Sequence, residues 1–247
     1  VRGSEGRIQD AGSRVQESAE TSLFRGLDAD KDQSYVLFGV KREYLPRMMF
    51  PIGEYRKSEI RGLAHDLGLR VADKPDSQDI CFVASGDHAD FVRRRRSERS
   101  QTRDDNFDPA TIAGEIALAD GTVVGSHGGI EGFTIGQRKG LRVAMGEPYY
   151  VTRIEAATAR VVIGPREDLA RKELTADRVN WLVDQPIEPF RAEVQIRYNS
   201  SASAALVIPL EDVRIRVEFD EPQYGVAPGQ AAVCYGENRV LGGGWIE

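Results

Sequence analysis

Apolar residues recur along this chain with two different periods, and the change of period divides it. Between residues 57 and 69, Ile60, Leu63, Ala64 and Leu67 fall at i, i+3, i+4 and i+7, and Gly68 follows as a stop. The spacing predicts a core-facing amphipathic helix. Upstream, Asp30 precedes Gln33 by three positions, just ahead of Tyr35, Val36 and Leu37. That is a capping-box spacing, and it predicts a short helix with Lys31, Asp32 and Gln33 in its first turn. A second short helix is expected from Tyr44 to Met49, stopped by Pro51. The first twenty residues are polar, carry three glycines and show no apolar period, which predicts a loop.

After Pro75 the period becomes two. Ile80, Phe82 and Ala84 alternate with Cys81 and Val83, so a short strand is expected with Cys81 on the face opposite Ile80 and Phe82. Ile116 and Leu118 precede Asp120-Gly121, a type I′ hairpin signal, and Val123-Val124 resumes the pattern. Val161 to Ile163 ends at Gly164-Pro165. Ala192, Val194 and Ile196 alternate with Glu193, Gln195 and Arg197; Ile215, Val217 and Phe219 alternate with Arg214, Arg216 and Glu218. Ala231 to Tyr235 and Val240-Leu241 flank a turn over residues 236–239. Short strands at regular turn spacing over residues 175–247 predict a small barrel.

Composition narrows the class. The chain has 247 residues, 40% hydrophobic and 29% charged, as in a folded protein of one large domain or two to three small ones. The longest apolar run, Ala204 to Leu210, contains Pro209 and is too short to span a bilayer, so no membrane partner is expected. No basic-then-apolar leader opens the chain, and Cys81 and Cys234 are too few for a disulfide scaffold; both point to a reducing, cytoplasmic setting. A first residue of Val rather than Met suggests that upstream residues have been removed. The net charge of −6 argues against nucleic acid, but binding follows the local field. Arg93, Arg94, Arg95, Arg96, Arg99 and Arg103 face a single acid, Glu98, within their stretch, which is either a solvated helix face or loop, or a nucleic-acid patch.

The candidate chemistry is sparse. Residues 125–140, GSHGGIEGFTIGQRKG, hold six glycines, implying tight turns, yet match neither the P-loop nor the dinucleotide spacing. Gln137, Arg138 and Lys139 there can present donors to an RNA backbone. On composition, Cys81 between Ile80 and Phe82 reads as a small buried hydrophobe, since Asp76 and Asp79 oppose a thiolate and Lys74 alone favours one. Cys234 reads as core. Three histidines, including His88 and His127, without an i, i+4 pair give no metal site.

Taken in order, the motifs resemble one family. KDQSY at 31–35, FPIGEYRKSEIR at 50–61 and KPDSQDICF at 74–82 are followed by GSHGG and GFTIGQRKGL within 125–141. PYYV at 148–151, PGQAAV at 228–233 and LGGGWI at 241–246 complete the series. From Leu23 onward the chain is similar to the tRNA-uridine 2-sulfurtransferases (the MnmA/TrmU family of tRNA-specific 2-thiouridylases). The resemblance implies a multidomain α+β fold: residues 1–86 as the tail of an α/β nucleotide-binding domain, 87–174 as a central mostly β domain, and 175–247 as a C-terminal small β-barrel that binds tRNA.

It also implies a chemistry. The family adenylates the C2 oxygen of the wobble uridine with ATP and displaces AMP with sulfur from a cysteine persulfide, a second cysteine assisting through a disulfide. By resemblance Cys81 carries the persulfide, against the composition-only reading, and a persulfide sulfur-donor protein is a partner. Lys31, Asp32 and Gln33 match a tRNA-contacting triplet, Arg197 and Tyr198 a basic-aromatic pair, and Gln230 a further contact; the nucleic acid implied is RNA, not DNA. An Arg holds a phosphate, a Tyr stacks on a splayed base and a Gln reads a base edge. The family's pyrophosphate loop, its first catalytic Cys and its Gly-His-Tyr-Ala segment have no counterpart here, so the chain alone is not expected to bind ATP or adenylate uridine. Two readings stand: part of a sulfurtransferase, or a tRNA-binding fragment without ATP-dependent activity.

Overall fold

The positions that alternate along the chain line two separate β cores. The computed structural model describes residues 21–74 and 113–247. The expected strand around Cys81, His88, the arginine-rich stretch and the first twenty residues lie outside them.

Strands β1 (Gly114–Ala117), β2 (Val123–His127), β3 (Tyr150–Glu155) and β4 (Arg160–Gly164) form a mixed sheet in the order β2-β1-β4-β3. β1 and β4 run parallel; the other pairs are antiparallel. Its core is Ile116, Leu141, Val151, Val161 and Ile163. The Asp120-Gly121 signal does close the β1–β2 hairpin, but not as a type I′ turn. Only Gly121 takes a positive φ, at 90°. The Asp120 carboxylate accepts from the Thr122 N–H at 2.9 Å, and this Asx turn holds Asp120 out of the left-handed region a I′ turn demands.

After a 3₁₀ turn at Arg166–Leu169 come β5 (Ala170–Trp181), β6 (Phe190–Gln195), β7 (Ser203–Leu210), β8 (Arg214–Tyr224), β9 (Ala231–Gly236) and β10 (Arg239–Ile246). These six close into an antiparallel barrel, β10-β5-β8-β7-β6-β9. Val194, Ala205, Val207, Ile215, Val217 and Cys234 fill its interior. This is the expected central β unit followed by a small barrel, and closure removes the unpaired edges a sheet of short strands would otherwise expose.

β9 is buried on both sides. Ala232 and Cys234 point into the barrel, while Ala231, Val233 and Tyr235 pack outward against Leu23, Tyr35, Phe38 and Leu45. The segment supplying that cover is a run of short 3₁₀ helices, Ala29–Lys31, Ser34–Gly39 and Arg42–Arg47. The two short helices expected are there, but wound as 3₁₀, and Asp32 and Gln33 precede Ser34–Gly39 instead of lying in its first turn. Pro46 within Arg42–Arg47 withholds an N–H, and short 3₁₀ pieces suit so interrupted a sequence. The segment is tied at both ends. Val240 donates its N–H to the Leu23 carbonyl at 2.8 Å, and the Asn180 amide donates to the Phe38 and Val40 carbonyls at 2.6 and 2.9 Å. Gly243 leaves room for Phe38: a Cβ there would stand 2.9 Å from the ring and 2.7 Å from the Ala232 carbonyl.

Helix α1 (Lys57–Asp66) ends as its sequence predicts, with Gly68 at φ 65° and the Leu69 N–H returning to the Ala64 carbonyl. Its expected core-facing role is not found. None of its residues is buried, and Leu63 and Leu67 are 45% and 73% exposed, because no described element packs across the apolar stripe.

Candidate functional site

Residues 26–34 fold around one carboxylate. Asp32 Oδ1 accepts from the backbone N–H groups of Gly26 and Ser34, both at 3.0 Å, and Oδ2 accepts from Ser34 Oγ at 2.8 Å and Arg25 Nη1 at 3.3 Å. The helix start expected at Asp30 lies elsewhere: Asp28 caps the Ala29–Lys31 turn through the Asp30 N–H. Asp32 and Gln33 are the joint between two 3₁₀ turns, where a short carboxylate satisfies amides that neither turn pairs. The joint leaves Lys31 and Gln33 exposed on its outer side.

The second element is the loop leaving β6. Gln195 falls on the polar side of the strand alternation, yet it is 5% exposed. Its Nε2 donates to the carbonyls of Arg197 and Tyr198, both at 3.0 Å, and its Oε1 accepts from Arg25 Nη1 at 3.2 Å. Arg25 therefore bridges the two elements, with its guanidinium 3.5 Å above the ring of Tyr235. Between them opens a cleft of about 590 Å³, lined among others by Arg25, Asp30, Asp32, Gln195, Tyr198 and Ser200.

The sequence-derived candidates sit differently around this cleft. Tyr198 is 44% exposed at its rim. Arg197 turns the other way. Its Nη2 donates to the Ile135 carbonyl at 2.8 Å, and a Cβ at Gly225 would stand 2.5 Å from the same nitrogen. The guanidinium thus lies between Gly225 and Gly136, joining the barrel to the glycine-rich loop of the central sheet. Gln230 is outside the cleft, in the turn before β9, next to the Ala231 carbonyl that accepts the Tyr35 hydroxyl at 2.9 Å. In the glycine-rich loop the Gln137 amide is used internally, accepting from the Thr134 N–H and donating to the Lys139 carbonyl, while Arg138 and Lys139 are exposed.

Cys81 lies outside the described residues. Cys234 is fully buried in the barrel, and burial pushes its thiol up to about 12, so its core reading holds. Among the described residues no group of three His, Cys, Asp or Glu side chains is placed to hold a metal, and no helix is long and apolar enough to cross a membrane. Sequence reasoning missed Arg25 and Gln195. Neither sits in a periodic or motif position that singles it out; the one available signal is a lone Arg beside a run of acids at 28–32.

Comparison with known proteins agrees with this architecture. Three family models match in succession: "tRNA methyl transferase HUP domain" over residues 7–85, "tRNA methyl transferase PRC-barrel domain" over 108–165, and "Aminomethyltransferase beta-barrel domain" over 171–246. Among curated relatives, proteins named tRNA-specific 2-thiouridylase MnmA are similar over nearly the whole chain. The protein from Rhodopirellula baltica is 50% identical over 94% of this chain and 57% of its own length. Those from Nostoc punctiforme and Syntrophotalea carbinolica are 43% and 45% identical over 91% of this chain, covering 61% and 60% of theirs. The chain thus spans about three-fifths of the length of these relatives. A HUP-domain tail, a PRC-barrel middle and a closed β-barrel, in that order and with that likeness, place the chain in the family of tRNA-specific 2-thiouridylases.

Proposed function

We propose that the chain acts in 2-thiolation of the wobble uridine of tRNA, supplying Cys81 as the sulfur carrier and a tRNA-contact face around residues 31–33, 197–198 and Gln230. The observation that carries this reading is the open cleft between the 31–33 turn and the Tyr198 loop, lined by Asp32 and the half-exposed Tyr198 ring, with Lys31 and Gln33 exposed on that same turn. A cation for phosphate, an amide for base edges and a ring for stacking are the groups single-stranded RNA recognition requires.

In the proposed reaction, ATP is the co-substrate. The uridine C2 oxygen attacks the α-phosphorus and pyrophosphate leaves. The terminal sulfur of a Cys81 persulfide then attacks C2 and AMP departs, which leaves the base linked to Cys81 through S–S. A second thiol attacks Cys81 sulfur, forming a disulfide and releasing 2-thiouridine with the S–S electron pair. Cys234, buried and protonated, is not that thiol. The sulfur comes from a persulfide-bearing donor protein, in a cytoplasmic setting.

Two measurements on the chain test this. Filter binding to bulk tRNA across a salt series should give an affinity that falls steeply with salt. Incubation with a persulfide donor, read by mass spectrometry, should add sulfur at Cys81 and leave Cys234 unmodified. Absence of tRNA binding overturns the reading. Binding without sulfur at Cys81 supports the second reading, a tRNA-binding module without chemistry.

A further inference from the structure

The resemblance assigns Lys31, Asp32 and Gln33 one role, yet the structure separates them. A carboxylate offers about four lone-pair directions and a primary amide two N–H donors. Asp32 uses both oxygens on four donors of its own chain, and its side chain is 8% exposed. Gln195 spends both N–H groups on the carbonyls of Arg197 and Tyr198 and its oxygen on Arg25. Arg25, whose side chain is 23% exposed, places one nitrogen, Nη1, between Asp32 and Gln195. The three side chains form an unbroken hydrogen-bonded path from the 31–33 turn to the 197–198 loop.

We infer that Arg25, Asp32 and Gln195 are positioning residues, which set the spacing between the 31–33 turn and the Tyr198 loop and leave contact with RNA to Lys31, Gln33 and Tyr198. The inference rests on the proposed tRNA binding. Its physical content is preorganisation: an RNA strand entering the cleft meets the turn and the ring already at their bound separation, so less ordering is required on binding. The Tyr235 ring beneath the Arg25 guanidinium and Ser34 Oγ on Asp32 hold the bridge from the barrel side.

Gln195→Met tests this best, because it keeps the volume of a buried side chain and deletes all three hydrogen bonds. In the chain, tRNA affinity should fall about three- to tenfold, while the slope of log K against log salt stays that of the parent, since no phosphate contact is lost. Lys31→Ala, by contrast, should reduce that slope by about one. In a Tyr198→Ala background Gln195→Met should cost nothing further, because its effect runs through the Tyr198 loop; a general loss of stability would add in both backgrounds. Amide hydrogen exchange at Gly26 and Ser34 should accelerate in Asp32→Asn without RNA present. Parent-like affinity for Gln195→Met, a reduced salt slope for it, or full additivity with Tyr198→Ala each overturns the inference. A parent chain that binds no tRNA overturns the functional reading instead, and the exchange data still judge the bridge.

Discussion

The ring of Tyr198 stands edge-on to the ring of Tyr35, with centroids 6.3 Å apart and planes at 60°. Tyr35 is a fixed partner. It is 8% exposed, donates its hydroxyl to the Ala231 carbonyl, and is pushed up to about 12 by burial. Tyr198 is therefore held on one side by the segment docked on β9, while its ring also lines the cleft. Tyr198→Ala should weaken binding of an anticodon stem-loop by about 1–3 kcal/mol, the worth of one stacked base, and Tyr198→Phe should retain nearly all of it. Fluorescence anisotropy with a labelled stem-loop reads both; a Phe variant as weak as the Ala variant rejects stacking.

Arg197 predicts a stability effect. Its charge-assisted bond to the Ile135 carbonyl ties the barrel to the central sheet, so Arg197→Ala should cost about 1.5–3 kcal/mol in urea unfolding. Gly225→Ala should destabilise as well, since φ there is 79° and the new methyl meets the guanidinium. The double variant should cost less than the sum of the two, because removing the guanidinium clears the space the methyl needs. Strict additivity of the unfolding free energies would contradict the described packing.

The barrel was legible because its physics is local. The alternations at 192–196 and 215–219 and the turn at 236–239 each follow from a period of two and a turn residue, and the structure has them in one closed sheet. The cleft was legible only in part. Lys31, Gln33 and Tyr198 appear through resemblance, but Arg25 and Gln195 act through partners that no periodicity links. Gln195 looks solvent-facing because its strand alternates, and it is buried because the loop that follows folds back over it to use its amide. The 29–47 segment misleads for a related reason. Its Asx, Gln and apolar spacings suit a helix, yet Asp32 gains more donors at a joint between two turns than it would inside one. In α1 the apolar stripe is real, but a period reports which face could be buried, not whether a described neighbour covers it.

Cys234 gives the chain an alkaline weakness. Unfolded, a cysteine titrates at about 8.5; folded, burial raises this one to about 12. Between those values the unfolded state has lost a proton that the native state keeps, so stability falls as pH rises, by up to about 1.4 kcal/mol per pH unit from this group alone. Tyr35, raised to about 12 by its own burial, adds in the same direction above pH 10. Urea midpoints measured from pH 8 to 10.5 should decline, and in Cys234→Ala the decline should be shallower between pH 8.5 and 10. Equal slopes in the two proteins would mean that the thiol is not held protonated.

Asn180 should control how firmly the 34–48 segment is seated. Its amide is the donor to both the Phe38 and Val40 carbonyls, so Asn180→Ala leaves two carbonyls without that partner and should cost about 1–3 kcal/mol. Limited proteolysis should then cut within 34–48 faster than in the parent, while the barrel strands stay protected. Equal cutting rates would place the anchor elsewhere.

The two-sided burial of β9 imposes an order of assembly. Leu23 and Tyr35 leave the ribosome long before Val233, Tyr235 and Val240, the platform they cover, has been made. Until then the platform that the early segment covers is not there to receive it. Once β9 and β10 emerge, the barrel can close, but its outer wall stays apolar and open until residues 23–45 come back to it. Returning residues 23–45 to β9 therefore closes a long loop late, and in the interval before it the outer face of β9 is open to other chains.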